Sequence, residues 1–416
     1  MGLPCSCCRW GDAGIVAGLF PPQKRALGLP AEAPLTPRAA ERLGRETAVQ
    51  AFEGAAKALQ IDWGMVLDSR QVQRWSRALG RSLVERRDRE VRQYRQGIRP
   101  ESVAHEPQLL VIGLDGGRVQ TRPVDTAEVP ADAPSPLPVS PATAPPLEPA
   151  AGANLAAAVE GEEQKEEVTK AEEEEEKPSR WKEDKVCTIS SYIPGDGKER
   201  EPQRLVTTCV ATMEDAAAFG PMVRVEAERR GVRQALQILA LGDGGNWIDP
   251  LLAVFFGILV RIIDWFHASE HLWECAAAAF GKGTPQAAMW AERWEAWLWD
   301  GKVEKVIQAL TAESERLGQT QKEDGPQHPR RILAQNVGYF SKHKEHMRYP
   351  EYRAKGWPIG SGVTEAAVKQ FNKRVKGTEQ FWLREGVEPI LALRSLWISQ
   401  DERWEKHWAN RPAYVN

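Results

Sequence analysis

The stretch Leu109-Leu-Val-Ile-Gly-Leu-Asp115-Gly-Gly117 is a short apolar run that leads directly into an acidic residue. A run of this length beside glycines is typical of a buried β-strand. A second run, Leu236-Gln-Ile-Leu-Ala-Leu-Gly-Asp243-Gly-Gly245, has the same form. Polar groups at the carboxyl ends of buried strands mark the functional sites of α/β folds. The two runs therefore predict an α/β protein with a site at these strand ends.

Two later segments add polar residues to this pattern. Arg261-Ile-Ile-Asp264-Trp-Phe-His267 is another short apolar strand, and it ends in an Asp-x-x-His motif. Pro358-Ile-Gly-Ser-Gly-Val-Thr-Glu365 predicts a helix start with Ser361 as its cap. Asp115, Asp243 and Glu365 could converge on two divalent cations roughly 3.5–4 Å apart, as in enzymes that cut and join DNA strands.

Each of these acidic residues also has a purely structural interpretation. An Asp before two glycines is common in tight turns. Asp264 could cap a helix that starts near Phe266, with His267 bonded locally. Glu365 could form a surface ion pair with Lys369, four residues later on the same helix. The individual motifs leave both interpretations open.

The order of the segments predicts a mixed sheet. We expect strands at 109–115, around 117–122, and at 182–193, 205–213, 236–242 and 260–264, with helices at 215–230 and near 247–257. Meander strands followed by alternating helices and strands indicate an RNase H-like sheet. Residues 268–355 have a wholly helical pattern, in which the tryptophans at 290, 294, 297 and 299 are expected to fill a core.

Five phrases of the chain together resemble the DDE transposases of the ISKra family of bacterial insertion sequences, which are related to Mutator-like transposases. They are Leu114-Asp-Gly-Gly-Arg118, Leu241-Gly-Asp-Gly-Gly-Asn-Trp247, Ile263-Asp-Trp-Phe-His-Ala-Ser-Glu-His-Leu272, Tyr352-Arg-Ala-Lys-Gly-Trp-Pro-Ile-Gly-Ser-Gly-Val-Thr-Glu365, and Lys373-Arg-Val-Lys-Gly377 through Phe381-Trp382. The resemblance extends from about Leu27 to Leu396.

The resemblance implies an RNase H-like catalytic domain with an all-α insertion before the catalytic Glu. Asp115, Asp243 and Glu365 would be the catalytic triad and would bind two Mg²⁺ or Mn²⁺ ions, with Asp264 and His267 as further catalytic residues. The protein would bind terminal inverted repeats and target DNA as a homo-oligomer, at least a dimer. It would act as a DNA-cutting and strand-transferring enzyme in the bacterial cytoplasm, associated with the nucleoid.

The chain departs from the family pattern in two places. Asp243-Gly-Gly-Asn-Trp247 replaces the more usual Asp-Gly-Ala before the Trp, and the approach from Gly377 to Trp382 is longer and more acidic. An alternative function is therefore a catalytically inactive or domesticated DNA-binding protein derived from a transposase.

The N-terminal part predicts a separate, helix-turn-helix-like DNA-binding region. Helices are expected at 37–48, 50–59 and 69–95, and residues 70–95 contain nine Arg and three acids. With Val72, Trp75 and Leu79 facing the core, the residues expected to face DNA are Arg70, Gln71, Arg74, Arg77 and Arg81. A generic amphipathic surface helix is the alternative.

Further DNA contacts are predicted after Glu365. Cations close to a metal-binding carboxylate would hold the DNA backbone beside the metal site. The residues assigned to this role are Lys369, Lys373, Arg374, Lys376 and Trp382.

Charge is distributed unevenly along the 416 residues. The formal net charge is −3, but residues 160–176 carry −8, so the rest of the chain carries +5. The acidic block belongs to a Pro/Ala- and Glu-rich segment that could not fill a core, which predicts a disordered insert. We interpret it as a solvated spacer; a DNA-mimicking or autoinhibitory segment is the alternative.

Cysteines give little support for a metal site. Cys5 and Cys8 have the spacing of half a zinc site, but no second pair follows at the expected distance, and we do not assign zinc there. No stretch is long and apolar enough to predict a membrane span. The expected organisation is a zinc-ribbon-like remnant (1–30), a DNA-binding region (31–100), a catalytic domain in three parts (105–122, 181–267 and 356–400), a disordered insert (123–180), an all-α insertion (268–355) and a C-terminal tail (401–416).

Overall fold

A computed structural model describes residues 35–103, 106–122, 181–257, 259–377 and 381–409. The segment with Cys5 and Cys8 and the acidic insert at 123–180 lie outside these residues. The described part is a mixed α/β structure, as the sequence predicts, and helices account for most of it.

Five strands form one sheet in the order β3-β2-β1-β4-β5. They are β1 (Leu109–Gln120), β2 (Trp181–Ile193), β3 (Gln203–Thr212), β4 (Gln237–Gly242) and β5 (Val260–Ile263). The first three form an antiparallel meander, whereas β4 and β5 run parallel to β1. The central position of β1 explains its apolar sequence, because both of its faces are covered along Leu109–Leu114.

The predicted break after Asp115 is wrong. Strand β1 continues without interruption through Gly116 and Gly117 to Gln120 and pairs with β2 along its whole length. The two expected strands, at 109–115 and around 117–122, are therefore one. The glycines are inside a strand, where they mark the close approach of other groups and not a turn.

Helices on both faces of the sheet bury these strands. Leu110, Ile112 and Leu114 of β1 pack with α4 (Ala216–Arg229) and α5 (Ile248–Phe255). On the opposite face, helix α11 (Gly362–Val375) packs on β1 and β2. At Gly113, an added Cβ would lie 1.9 Å from the Oγ1 atom of Thr364, so α11 rests directly on the central strand.

The segment after β5 is helical, as predicted. It comprises α6 (Trp265–Phe280), α7 (Pro285–Trp299), α8 (Val303–Leu317), α9 (Pro329–His343), a 3-10 turn (Lys344–His346) and α10 (Tyr349–Ala354). Its core joins that of the sheet and includes the fully buried Trp294, with Trp290 and Trp297 packed against it, whereas Trp299 is partly exposed. The tryptophans therefore act mainly as core residues.

The N-terminal helices α1 (Pro37–Val49), α2 (Phe52–Trp63) and α3 (Ser69–Arg95) occupy the expected positions. Helix α3 has 27 residues and begins with a capping box between Asp68 and Gln71. They are not a separate region, because α3 packs along α12 (Arg384–Ile398). Ala48 and Leu83 also share one apolar cluster with residues of α12 and α13 (Arg403–Ala409).

The contact between α3 and α12 predicts opposite effects for two glycine substitutions. A Cβ at Gly80 would lie 2.2 Å from the carbonyl oxygen of Pro389, whereas a Cβ at Gly338 of α9 would meet nothing within 4 Å. Gly80→Ala should lower the free energy of unfolding by about 1–3 kcal/mol through overpacking. Gly338→Ala should raise it by up to about 1 kcal/mol, since Ala is the better helix former. Urea unfolding measures both; equal effects would contradict the close packing.

Candidate active site

Three neighbouring parallel strands carry a row of aspartates, directly after β4 and β5 and within β1. In the sheet register, Leu114 is opposite Gly242, and Gly242 is opposite Ile263. The next residue on each strand is an acid: Asp115, Asp243 and Asp264. The sheet therefore brings together three acids of which the first and the last are more than a hundred positions apart in the sequence.

Asp264 links this row to helix α11. Its side chain is fully buried, and its Oδ1 atom accepts a hydrogen bond from the backbone N–H of His267 at 2.8 Å. The other oxygen accepts a hydrogen bond from the backbone N–H of Ser361, next to the start of α11. Asp264 therefore caps α6, as its structural interpretation predicts, and also fixes the entry to the helix that carries Glu365.

Glu365 lies in the first turn of α11 and is oriented by the backbone. Its N–H and that of Thr364 donate to the carbonyl oxygen of Ser361. The predicted cap by the Ser361 side chain is wrong, because that side chain makes no capping hydrogen bond. The hydroxyls of Thr364 and Thr188 on β2 share a hydrogen bond of 2.8 Å, which fixes the first turn of α11 against the sheet.

Glu365, Asp264 and His267 form a compact group of possible metal ligands. One side-chain ligand atom from each lies within 4.8 Å of those of the other two. Glu365 also pairs with Lys369 at 3.2 Å, so the surface ion pair considered from the sequence is present beside the site. The Nδ1 atom of His267 lies 3.4 Å from the carboxylate of Glu270.

Asp115 lies beside this group but outside it. Burial raises the pKa of its carboxyl to about 6, while a hydrogen bond from the N–H of Gly116 acts in the opposite direction. The charges of Asp243 and Glu365 add to the increase, and His267 opposes it. The charges of the other two expected catalytic acids therefore act on Asp115, although Asp115 and Asp243 are not in the 4.8 Å group.

Asp243 is held by interactions that the sequence did not indicate. Its Oδ1 atom accepts a hydrogen bond from the N–H of Gly245 at 3.0 Å, and its carbonyl oxygen accepts one from the guanidinium of Arg261. An added Cβ at Gly244 would lie 2.5 Å from the ring of Tyr339 and 2.9 Å from His343 of α9. This crowding explains why Gly244 directly follows Asp243. Arg261, Tyr339 and His343 lie far apart in sequence, so no local motif identifies them.

The donor atoms fit a hard divalent cation. Carboxylate oxygens suit Mg²⁺ and Mn²⁺, and an imidazole is compatible with Mn²⁺. The charges of Asp243 and Glu365 raise the pKa of Asp115, and a bound cation would relieve this repulsion. Among the described residues, Asp264, His267 and Glu365 have ligand atoms close enough together to hold one such ion, although Asp264 also accepts two backbone hydrogen bonds; Asp115 and Asp243 lie outside that group.

Some of the predicted DNA-facing residues of α3 are exposed, and the others are engaged in contacts within the protein. Arg70, Arg74 and Arg81 are exposed, as expected. Gln71 uses its side chain in the capping box with Asp68. The prediction that Arg77 faces outward is wrong: most of its surface is buried and it lies against Gly386 of α12, where burial lowers the pKa of its guanidinium.

Two of the predicted contacts after Glu365 are also wrong, because the residues are buried. Arg374 is 1% exposed; its Nε donates to the carbonyl oxygen of Thr47, and its guanidinium lies over the rings of Phe52 and Trp382. Trp382 is 5% exposed, and its indole N–H donates to the carbonyl oxygen of Val375 at 2.7 Å. Both residues stabilise the packing of the N-terminal helices on α11. Lys369, Lys373 and Lys376 are exposed.

No protein-family model matches this chain, and no curated protein matches it at a significant level. Within the described ranges, no helix has both the length and the apolar character needed to cross a membrane.

The raised pKa of Asp115 predicts how stability depends on pH without metal. Between about pH 4 and about pH 6, the folded protein keeps a proton on Asp115 that the unfolded chain has released. The free energy of unfolding should therefore fall as pH rises through this window and level off above it. Asp115→Asn should reduce the fall without abolishing it, because Asp184, whose pKa is also raised to about 6, contributes in the same window.

Urea unfolding in EDTA between pH 4 and pH 8 measures this dependence for both proteins. Added Mg²⁺ should stabilise the native protein above pH 6 more than the variant, because the cation binds the deprotonated carboxylate. Identical slopes for the two proteins would contradict the assignment of the proton to Asp115.

Proposed function

We propose that this protein is a metal-dependent transposase that binds the ends of an insertion sequence, cuts DNA there and transfers the strand. The observation that carries the proposal is the row of Asp115, Asp243 and Asp264 at one edge of the sheet, with Glu365 beside it on α11. A group of acids on such different elements is expected where phosphodiesters are cut with the help of cations.

The topology supports an RNase H-like assignment for the catalytic part. A three-stranded antiparallel meander continues into two parallel strands on the other side of β1. The first acid lies on the central strand, the second directly after β4, and the third on a helix that follows the all-α segment. This order is the one that the resemblance to DDE transposases implies.

In this proposal, Asp115, Asp243 and Glu365 would hold the cations. When bound, they would activate a water or a 3′-hydroxyl and stabilise the leaving oxygen. The chain's own residues orient the acids: Asp264 fixes the start of α11, and Arg261 fixes the backbone at Asp243. These buried hydrogen bonds would keep the ligands in place while DNA enters and leaves.

DNA would be held by exposed cations on two surfaces. Lys369, Lys373 and Lys376 extend along α11 away from Glu365, and they suit contacts to the backbone near the cut. Arg70, Arg74 and Arg81 on α3 suit recognition of an end sequence, because Arg binds phosphates and guanine through two parallel hydrogen bonds. A homodimer would bring two DNA ends together, as the resemblance implies.

A cleavage assay tests the catalytic part of the proposal. Purified protein is incubated with Mg²⁺ or Mn²⁺ and end-labelled DNA that carries the sequences flanking its coding region. We expect cuts at defined positions, and we expect Asp243→Asn and Glu365→Gln each to lower the rate at least a hundredfold, on the order of one lost essential group in a catalytic unit.

Glu351→Gln is the matched control, since Glu351 is an exposed acid on α10 that pairs with Lys355. It should leave the rate unchanged. Specific binding without cleavage by the native protein would favour the alternative function, an inactive DNA-binding descendant of a transposase. Absence of both binding and cleavage would refute the proposal.

A binding assay tests the role of α3. Replacing Arg70, Arg74 and Arg81 together by Ala should weaken DNA binding and reduce the slope of log K against log salt by up to about 3, one for each lost phosphate contact. The matched control replaces Lys198, Arg200 and Arg204, three exposed cations at the β2–β3 hairpin, and should have a much smaller effect. Equal effects of the two triple variants would argue against recognition by α3.

A further inference from the structure

The two glycines after Asp115 make room for acidic side chains from the neighbouring strand. Gly116 and Gly117 lie opposite Lys185 and Asp184 of β2. A Cβ at Gly117 would lie 2.5 Å from the Oδ1 atom of Asp184, and a Cβ at Gly116 would lie 2.6 Å from a carboxylate oxygen of Glu183. Side chains alternate between the faces of a strand, so the two acids occupy opposite faces.

Asp184 lies on the face that carries the candidate active site. Asp115 and Gly117 are two residues apart on β1 and face the same side, and Asp184 lies directly over Gly117. Helix α11, which carries Glu365, covers this same side of β1 and β2, where Thr364 bonds Thr188. Asp184 is therefore a neighbour of Asp115 within the sheet and belongs to the same layer as the other acids.

The side chain of Asp184 is fully buried and has no hydrogen-bond partner for either oxygen among the described residues. The nearest cation in sequence, Lys185, lies on the opposite face and pairs with Glu183 at 2.9 Å. Burial raises the pKa of Asp184 to about 6; its own backbone N–H and the charge of Lys185 act in the opposite direction, whereas the charges of Glu183 and Asp115 add to the increase.

A purely structural role does not account for this residue. A buried carboxyl that makes no hydrogen bond costs free energy and stabilises nothing in return. Asn would fill nearly the same volume without a charge, and an apolar residue would match the neighbouring Val119 and Val186, which belong to the core on this side. An acid without a partner in such a position is expected where a ligand supplies the partner.

We propose that Asp184 is a fourth acidic ligand of the metal site, and that it shares a divalent cation with Asp115. This inference rests on the metal dependence in the proposed function and deepens it, because neither the motifs nor the resemblance assigns a role to β2. Asp115 would then connect two groups of donors: Asp184 on one side, and the group of Glu365, Asp264 and His267 on the other.

Binding of Mn²⁺ to the full-length protein, measured by electron paramagnetic resonance without DNA, tests the inference independently of activity. Asp184→Asn should reduce the affinity of at least one Mn²⁺ roughly tenfold or more, the range seen when groups that support a metal site are removed. Its unfolding midpoint in EDTA should stay the same or rise, which shows that the loss of affinity is not a loss of fold.

Glu183→Gln is the matched control, because Glu183 is an acid next to Asp184 on β2 whose side chain lies on the opposite face of the sheet. It should bind Mn²⁺ like the native protein. Gly117→Ala should reproduce the effect of Asp184→Asn, because the added methyl group would lie 2.5 Å from the Oδ1 atom of Asp184 and would displace the carboxylate. Native Mn²⁺ affinity in Asp184→Asn, or an equal loss in Glu183→Gln, would overturn the inference.

The inference and the proposed function can fail separately. If the protein binds Mn²⁺ through Asp184 but cuts no DNA, the fourth ligand stands and the transposase proposal falls. If Asp184→Asn binds Mn²⁺ normally while the native protein cuts DNA, the function stands and Asp184 is a buried acid without a role in metal binding.

Discussion

The absence of a side chain at residue 113 allows helix α11 to lie directly on the central strand. Any Cβ there would collide with Thr364, one residue before Glu365. This close contact brings an acid near the C-terminal end of the chain to the sheet edge where Asp115 already lies. Asp264 completes the arrangement, because its carboxylate ties the approach to α11 to the end of β5. The helix and the sheet are thus positioned by buried contacts that do not themselves depend on a bound ligand.

The same edge concentrates negative charge that cations of the described residues neutralise only in part. Arg261 is the cation closest to Asp243 in the hydrogen-bond pattern, yet its guanidinium binds the carbonyl oxygens of Gly242, Asp243 and Ile262 and the carboxylate of Asp249. It organises the backbone and does not neutralise Asp243. Lys369 pairs with Glu365 only at the solvent side, where an ion pair contributes little. Burial is the main cause of the raised pKa of Asp115, and the charges of Asp243 and Glu365 add to it; a cation bound there would offset both effects.

Local sequence patterns predicted the elements well and their contacts poorly. Apolar runs that end in Asp gave the carboxyl edge of the sheet, since burial on both faces leaves a clear signature. The glycines after Asp115 were interpreted as a turn. The side chains that require them, Glu183 and Asp184, are on β2, which follows the long insertion in the sequence. Arg77 was assigned to DNA for a related reason: helical spacing shows which residues share a face, but not which face another helix covers. Arg374 and Trp382 were assigned because they follow Glu365 in the sequence, which does not show whether they are exposed. Arg374 is buried by Phe52, which precedes it by more than three hundred residues.

Helix α3 ties the N-terminal helices to the sheet, so in the proposed function the surface that binds DNA and the acids that cut it would belong to one packed unit. At 1.5 Å per residue, its 27 residues span about 40 Å. Its first half packs with α1 and α2, and the helix also lies along α12, whose Glu388 accepts hydrogen bonds from Thr212 and Met213 at the end of β3. Arg87 of α3 binds the same carboxylate at 2.7 Å, so one buried acid joins the N-terminal helices to the sheet. An end sequence bound at Arg70 and Arg74 would therefore lie at a fixed distance from the acids of the sheet edge, and that distance would select where the DNA is cut.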